Sequence, residues 1–214
     1  MTDDVGRVLP QGTGTPATIP GPIFTAAVDT FVAGQRLDMR ELARRVGVAR
    51  ATLYRQAGNR EQLLDQVLWW RARRLLADQV RASAHLTGTD RLTAVIGGVL
   101  RAIGTDRPVR VFLESDPETA LRVLTGSRST VHQGMAAALE NLIDLERARG
   151  AFDASLDTPT LAFAIVRVAD GFLYTDVIAD RGPGTGRAVI AIEALLRGLD
   201  LVHRTPVAAG LREP

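Results

Sequence analysis

Hydrophobic residues recur every three or four positions through most of the chain from residue 23 onward. That spacing places them on one face of an α-helix and is typical of amphipathic helices that pack around a core. The long segments with this pattern are 23–33, 59–76, 92–103, 131–149, 159–178 and 189–202. No segment alternates apolar and polar residues as a β-strand does, and none repeats another. The pattern predicts an all-α protein of about nine or ten helices.

Two shorter helices are predicted between the first and second of these segments. Asp38, with Glu41 three residues later, forms a pattern typical of a helix N-terminus, and Gly47 is a natural helix end. Residues 50–57 form a second short helical segment, and Asn59 begins the next long helix. Two short helices joined by a turn that contains glycine are the layout of a helix-turn-helix motif.

The composition removes most kinds of catalytic site from consideration. The chain has no Cys and no Lys, so all 26 of its basic residues are Arg. Thiolate nucleophiles, Cys-ligated metal centres and disulfides are excluded, as are the lysines of P-loops, Schiff bases and pyridoxal-phosphate sites. His85, His132 and His203 lie far apart and form no metal-ligand motif. We therefore predict neither an enzyme nor a bound cofactor or metal.

Charge is distributed unevenly along the chain. From Arg36 to Arg81 there are 11 Arg and 5 acidic residues, a net charge of +6. The rest of the chain has 15 Arg and 19 acidic residues, a net charge of −4, so the overall +2 conceals the contrast. A basic segment on an acidic remainder indicates that one part of the chain binds an anionic partner. Because the basic segment contains the helix-turn-helix pattern, we predict that this partner is double-stranded DNA.

The candidate DNA-binding residues lie on the two short helices and at the start of the following one. A helix that enters the major groove, which is about 12 Å wide, needs small residues on its leading face and cations that reach phosphates or base edges. Ala51 and Thr52 are small, and Tyr54 offers a hydroxyl group to a phosphate. The candidate contacts are Arg40, Arg44, Arg50, Ala51, Thr52, Tyr54, Arg55, Gln56 and Arg60.

This region resembles the DNA-binding domain of TetR/AcrR-family regulators. The resemblance is carried by residues 42–55, LARRVGVARATLYR, and 58–64, GNREQLL, and it covers residues 23–70. It implies a three-helix DNA-binding head, a long linking helix and a helical C-terminal domain that dimerises and binds an inducer. The family usually has Thr where this chain has Asp38, and we expect Asp38 to cap its helix through backbone N–H groups.

The resemblance also implies a role for individual residues at the matching positions. Tyr54 and Arg60 would hold phosphates of the DNA backbone. Arg50, Thr52 and Arg55 would face the major groove, where an arginine can form two hydrogen bonds with one guanine. The family usually has Lys at the position of Arg60, and a chain without Lys must use Arg there.

The same reasoning divides the chain into four parts. Residues 1–22 contain four Pro and four Gly with few large apolar groups, so we predict a flexible arm. We predict a DNA-binding domain for 23–70, a helical ligand-binding and dimerisation domain for 71–205, and a flexible tail for 206–214.

The N-terminus has neither the basic nor the apolar region of a secretory signal. No apolar run approaches the roughly 20 residues that span a bilayer. We therefore expect a cytoplasmic protein without membrane contact.

The C-terminal part contains candidates for a ligand pocket and for a dimer interface. Residues 161–178 are apolar almost all round, and with the final helix they predict a four-helix bundle between two copies of the chain. Arg167 and Asp170 interrupt this segment, and they either neutralise each other or orient an inducer together with Tyr174. His132 also has two possible roles. It is either a structural histidine of the core or surface, or a residue that binds the ligand. The pocket candidates are Phe112, Met135, Phe163, Arg167, Asp170, Phe172 and Tyr174.

Together these features predict a homodimeric, ligand-responsive transcriptional regulator. We expect a repressor that binds a palindromic operator. Because the pocket candidates are mainly apolar, we expect a small lipophilic or aromatic effector to release it. The alternative is a helical ligand-binding or adaptor protein that does not bind DNA. Failure of a folded dimer to shift any promoter fragment at low salt would favour that alternative.

Overall fold

The computed structural model describes residues 4–10, 19–125, 129–178 and 185–200. Within these ranges every regular element is an α-helix, and one isolated antiparallel bridge joins Ala154 to Asp200. The helices are α1 (Asp4–Val8), α2 (Gly21–Val32), α3 (Met39–Val46), α4 (Arg50–Ala57), α5 (Arg60–Ala82), α6 (Gly88–Thr105), α7 (Arg107–Ser115), α8 (Pro117–Thr125), α9 (Thr130–Ala148), α10 (Thr158–Ile178) and α11 (Thr185–Leu199). The prediction of an all-α protein is confirmed.

Helices α2, α3, α4 and the first turns of α5 form the N-terminal head. Their inward side chains, which include Phe24, Leu42 and Leu53, belong to one hydrophobic cluster. That cluster continues into the rest of the molecule through Val109 and Phe112 of α7. The head is therefore packed directly against the remaining helices, which we call the body.

The ends of the short helices in the head follow from local chemistry. Gly47 ends α3 with φ 77°, in the left-handed region that residues with a Cβ rarely adopt. Asn59 caps α5 by accepting a hydrogen bond from the Gln62 backbone N–H, and the Gln62 side chain accepts one from the Asn59 backbone N–H. This reciprocal capping box fixes the start of α5. Between these signals α4 spans the eight residues that the sequence predicts.

The body is built around the long helix α5, which continues out of the head. Helices α6 and α9 pack on α5, α10 packs on α9, and α11 packs on both α6 and α10. Their inward residues form a second hydrophobic cluster, with Leu92, Ile143, Leu161 and Leu196 almost completely buried. One helix is therefore shared between the head and the core of the body.

Helix α1 contradicts part of the predicted flexible arm. Val8 is fully buried in the body cluster, and its carbonyl oxygen accepts a hydrogen bond from the Asn141 side chain. Val5 and Leu9 pack beside it. The prediction is wrong for Asp4–Val8, because these apolar residues form one short helical face that finds a groove on α5 and α9. Residues 11–18 of the predicted arm and the predicted tail 206–214 lie outside the described residues.

A buried ionic cluster holds α1 in place. The fully buried Arg91 donates hydrogen bonds of 2.8 Å to Glu146, which is also fully buried, and to Asp4. Arg149 contacts the same two carboxylates at 2.8 Å. Burial acts to raise the pKa of Asp4, but the hydrogen bonds from Arg149 and Arg91 outweigh it and leave this pKa below its usual range.

Among the described helices, none is long and apolar enough to cross a membrane. Most of their large apolar side chains pack into the two clusters of the head and the body.

Candidate nucleic-acid interface and ligand cavity

Helices α3 and α4 form a helix-turn-helix whose first helix is capped by an acidic residue. One carboxylate oxygen of Asp38 accepts hydrogen bonds from the backbone N–H groups of Arg40 at 2.8 Å and Glu41 at 2.9 Å. These hydrogen bonds hold the pKa of Asp38 below its usual range. The carboxylate is thus used to begin α3, as we expected from the departure at this position.

The outer face of α4 presents polar and small side chains, while its inner face is anchored in the head. Leu53 is fully buried and Ala57 nearly so. Tyr54 is 42% exposed, which is unusual for an aromatic residue without a ligand or partner. The predicted DNA contacts on α4 that are exposed are Arg50, Ala51, Tyr54 and Arg55, and those that are half-buried are Thr52 and Gln56.

The arginines of this surface differ in whether a carboxylate already neutralises them. Arg44 pairs with Glu41, and the two side chains are largely exposed. No carboxylate among the described residues forms an ion pair with Arg40, Arg50 or Arg55. Three exposed guanidinium groups on α3 and α4 are therefore available to an anionic partner, and guanidinium groups suit both phosphates and guanine edges.

Arg60 is placed differently from the other predicted contacts. Its Nε donates to the backbone oxygen of Leu37 at 2.7 Å, and a terminal nitrogen lies 2.7 Å from a carboxylate oxygen of Asp116. Burial acts to raise the pKa of Asp116, but hydrogen bonds from Thr119 and Arg60 outweigh it and keep this pKa below its usual range. The first residue of α5 is therefore bound to the junction between α7 and α8, which the sequence did not indicate.

Two further polar contacts connect the head part of α5 to the body. Asp65 accepts hydrogen bonds from the Ser129 hydroxyl and the Thr130 backbone N–H, both at 2.8 Å. A head residue thus caps the N-terminus of α9. Glu61 accepts a hydrogen bond of 3.0 Å from Arg122 of α8. Displacement of the first turns of α5 would disturb the contacts at both positions.

The body contains a cavity of about 160 Å³ between α5, α6, α7, α9 and α10. Its lining is mainly aliphatic, and α5 contributes Leu68, Ala72, Leu75 and Leu76. A cavity of this volume is large enough for an apolar molecule of about the size of benzene. The lining helix α5 is the same helix whose first turns belong to the N-terminal head.

Among the described residues, three side chains with charged or titratable groups line this cavity. Arg71 is paired with Asp106, which caps α7. His132 of α9 and Asp170 of α10 lie with Nδ1 and Oδ2 3.5 Å apart. Burial raises the pKa of Asp170 above its usual range, although nearby His132 and Arg167 lower it in part. The rest of the described lining is apolar.

The predicted pocket residues are divided between several places in the structure. Met135 and Asp170 line the cavity. Phe112 is buried between head and body and packs edge-to-face on Phe31. Phe163 is 58% exposed beside Arg167, which lies over its ring. Phe172 is half-buried and does not line the cavity, and the side chain of Tyr174 lies outside the described residues.

Sequence reasoning missed most of the cavity lining because the lining residues are ordinary aliphatic core residues. Leu68, Ile96 and Val99 carry the same helical periodicity as residues that pack tightly elsewhere. Arg71 and His132 were the available signals, since polar residues on apolar faces need a buried partner or a ligand. Which of these faces encloses a cavity depends on how the helices pack and not on any one of them.

Two helices carry large apolar side chains on the surface of the single chain. Phe163 of α10 and Ile190 of α11 are 58% and 69% exposed. Within the described residues no cluster of three or more His, Asp or Glu side chains could hold a metal ion. The described residues thus present three candidate binding features: the exposed arginines of α3 and α4, the cavity, and the exposed apolar side chains of α10 and α11.

Two family models match the chain. The model described as "Bacterial regulatory proteins, tetR family" matches residues 23–67, which include α3 and α4. The model described as "Tetracyclin repressor-like, C-terminal domain" matches residues 87–197, which is more than half of the chain. No curated protein sequence matches the chain significantly.

Solved structures of regulators have the same fold. The transcriptional repressor QsdR from R. erythropolis is 27% identical with a TM-score of 0.76, over 83% of this chain and 93% of that one. FadR from Bacillus subtilis, solved in complex with stearoyl-CoA, is 18% identical with a TM-score of 0.56, over 83% and 98%. FadR from Bacillus halodurans is 22% identical with a TM-score of 0.54, over 83% and 97%. The chain belongs to the TetR family, whose members are helix-turn-helix transcriptional regulators and not enzymes.

Proposed function

We propose that this protein is a homodimeric transcriptional repressor that binds a palindromic operator and is released from it by a small apolar effector. It acts in the cytoplasm, where its operator lies. The observation that carries the proposal is that α5 belongs both to the DNA-binding head and to the wall of the cavity. Occupation of the cavity and the position of the head are therefore mechanically connected.

The exposed arginines support the DNA-binding half of the proposal. Arg50 and Arg55 project from α4, the helix that would enter the major groove, and Arg40 projects from α3. Arginine can form two parallel hydrogen bonds with one guanine, so Arg50 and Arg55 are the candidates for base recognition. Tyr54 would contact a phosphate at the wall of the groove and contribute affinity without sequence preference.

The contacts between head and body support the release mechanism. A ligand against Leu68, Ala72 and Leu75 would push on α5 about two to four turns from its first residue. The head end of α5 is joined to the body through Arg60 and Asp65. A shift of α5 would therefore change the spacing of the two heads in a dimer, and the two recognition helices could no longer occupy successive major grooves.

The comparison with QsdR supports the proposal that this protein represses transcription. QsdR is a transcriptional repressor, and its similarity covers 83% of this chain, which includes residues of both the head and the body. Dimerisation is supported by the exposed Phe163 and Ile190, because a second copy of α10 and α11 would cover both side chains. A dimer also supplies the two heads that a palindromic operator requires.

Footprinting tests the DNA-binding part. We expect the wild-type protein to protect two half-sites separated by about 10 base pairs in the DNA upstream of its own coding region. Arg50→Ala should lose this footprint while its circular dichroism spectrum stays unchanged, since Arg50 is exposed and carries no core packing. A folded wild-type dimer that protects no fragment at low salt would instead favour a helical ligand-binding protein without DNA binding.

A cavity-filling variant tests the effector part. Toluene matches the cavity in size and should weaken operator binding by the wild-type protein. Val99→Phe fills part of the cavity and should abolish this response, whereas the exposed control Ala84→Phe should keep it. Equal responses of all three proteins to toluene would show that release, if any, does not pass through the cavity.

A further inference from the structure

The wall of the cavity contains two buried polar atoms whose hydrogen-bonding capacity is unused. Nδ1 of His132 and Oδ2 of Asp170 have essentially no solvent exposure, and neither has a hydrogen-bond partner among the described residues. The two atoms lie 3.5 Å apart, without the geometry of a hydrogen bond between them. Buried polar groups in proteins are almost always satisfied, so an unsatisfied adjacent pair in a cavity wall points to a ligand group.

The third polar side chain of the lining does not have this property. Arg71 donates from Nε and a terminal nitrogen to the same oxygen of Asp106, at 2.8 and 2.5 Å. Asp106 is itself almost completely buried and fixed by the Val109 backbone N–H. The charge of Arg71 is thereby neutralised inside the protein. The polar end of a ligand is therefore expected at His132 and Asp170 and not at Arg71.

The charges near the pair exclude charged ligand groups. A ligand carboxylate would be brought beside the carboxylate of Asp170, in a region where burial already raises the pKa of that residue. A ligand ammonium would lie near Arg167, whose guanidinium is 3.8 Å from Asp170 and carries the same charge. A neutral polar group meets neither penalty.

The two unused atoms also specify the kind of neutral group. A carboxylate oxygen accepts hydrogen bonds, and the ring nitrogen of a histidine donates one when it carries the proton. A hydroxyl group satisfies both, because its oxygen accepts from Nδ1–H of His132 and its hydrogen is donated to Oδ2 of Asp170. An ether or ester oxygen only accepts and leaves the oxygen of Asp170 without a donor.

We propose that the effector is a small, uncharged, largely apolar molecule with one group that both donates and accepts a hydrogen bond, a hydroxyl being the simplest, bound between His132 and Asp170. This inference rests on the proposed effector role of the cavity and adds the chemical class of the effector. The aliphatic lining holds the apolar body of the molecule, and the volume of about 160 Å³ limits that body to roughly one ring or a short chain.

Isomeric probes test the proposal on the full-length protein. Benzyl alcohol and anisole have the same atoms, but the first has a hydroxyl and the second an ether oxygen. Toluene, benzoate and benzylammonium complete the series. By isothermal titration calorimetry we expect benzyl alcohol to bind about tenfold more tightly than anisole or toluene, the difference that one net hydrogen bond makes. Benzoate and benzylammonium should bind more weakly than toluene.

Variants at the pair should remove this preference without removing the cavity. Asp170→Leu and His132→Leu should bind toluene at least as well as the wild type and should no longer prefer benzyl alcohol over anisole. Asp170→Leu should also raise the melting temperature of the free protein, because it replaces a buried carboxylate oxygen that has no hydrogen bond by an apolar side chain. The exposed control Asp78→Asn should match the wild type in both measurements.

The outcomes separate this inference from the proposed function. If toluene binds but benzyl alcohol has no advantage, or if a charged probe binds most tightly, the assignment of the polar group is wrong and the effector cavity stands. A lower melting temperature for Asp170→Leu would make Asp170 a structural residue and also overturn the assignment. If no probe binds the wild type, the cavity is not an effector site, and both proposals fail.

Discussion

Arg60 is bound by a carboxylate of its own chain at the position where the family resemblance implies a phosphate contact. Asp116 and a DNA phosphate would compete for the same guanidinium group, since each offers anionic oxygens to it. Asp116 lies at the junction of α7 and α8, and α7 also carries the cavity residues Val109 and Leu113. A single ion pair thus connects the cavity wall to a residue at the edge of the DNA-binding surface.

Asp116→Asn tests this competition. We expect it to strengthen operator binding by about threefold to tenfold and to increase the slope of log Kd against log salt by about 1, because one more phosphate contact becomes available. Asparagine can still cap α8 through the Thr119 backbone N–H. Fluorescence anisotropy over a range of salt concentrations measures both quantities.

The matched control is Glu118→Gln. It removes one negative charge two residues further along the chain, from an exposed side chain of α8. It should change operator affinity much less than Asp116→Asn, and the salt slope should stay at the wild-type value. An unchanged slope for Asp116→Asn would mean that Arg60 does not reach a phosphate even when it is released.

For single residues, the sequence predicted helix-capping roles better than it predicted ion-pair partners. The roles of Asp38, Gly47 and Asn59 depend on neighbours within four positions, so local pattern was sufficient. The partner of Arg60 is 56 positions away, and no local pattern could indicate it. Single-sequence reasoning therefore identified which side chains are charged and exposed, but not which of them are already neutralised.

Among the helices, α1 departs most from its sequence expectation. A single helical turn is not stable alone, and its residues gain order only from the groove on α5 and α9 and from the cluster around Arg91. The high Pro and Gly content of residues 1–22 favoured a flexible arm. Composition carries no information about a groove that other helices form in the folded chain. The bounds of α4, by contrast, were predicted correctly because Gly47, which ends α3, lies shortly before it and because Gly58 and Asn59 follow its last residue.

The docking of α1 should depend on pH through Asp4. Because the folded pKa of Asp4 is lowered, its ionic contacts stabilise the protein above the unfolded pKa of about 4 and are lost as pH falls through the folded value. We expect the backbone amides of α1 to lose protection from hydrogen exchange under acidic conditions before those of α9 do. Mass spectrometry of exchanged peptides measures this order.

Asp4→Asn should reproduce the acid effect at neutral pH, since it removes the charge that Arg91 and Arg149 contact. Arg91 keeps Glu146 as a partner, so the body should stay folded. Asp78→Asn, at an exposed pair on α5, is the control and should leave α1 protected. Protection of α1 in Asp4→Asn equal to that of the wild type would show that apolar packing of Val8 alone holds the helix.

For the whole molecule, the regulatory connection depends on the dimer. Phe163 and Ile190 are exposed on a single chain, and a second copy of α10 and α11 would remove both from water. A dimer through α10 and α11 is predicted by apolar patterning and by family resemblance, whereas the cavity was not predictable from either. The positions of Leu68, Val99 and Ala138 in the cavity wall follow from the packing of three helices, and each would fit an ordinary core equally well.

Ile190→Glu should weaken the proposed dimer, because it places a charge at an exposed apolar position that a second copy would cover. We expect the dimer dissociation constant to rise by about tenfold or more and operator affinity to fall in parallel, since one head alone contacts only a half-site. Analytical ultracentrifugation measures the first and anisotropy the second. Ala84→Glu is the exposed control, and a dimer of wild-type strength in Ile190→Glu would place the interface elsewhere.

The hydrogen bonds from the start of α9 to Asp65 depend on the position of the head relative to the body. The backbone amides of Thr130 and Val131 are hydrogen-bonded to a carboxylate that moves with the head, while their helix belongs to the body and lines the cavity. A head displaced by an effector would leave these amides open to water. Their exchange rate would therefore read out the fraction of molecules in the DNA-releasing conformation, residue by residue and without any added label.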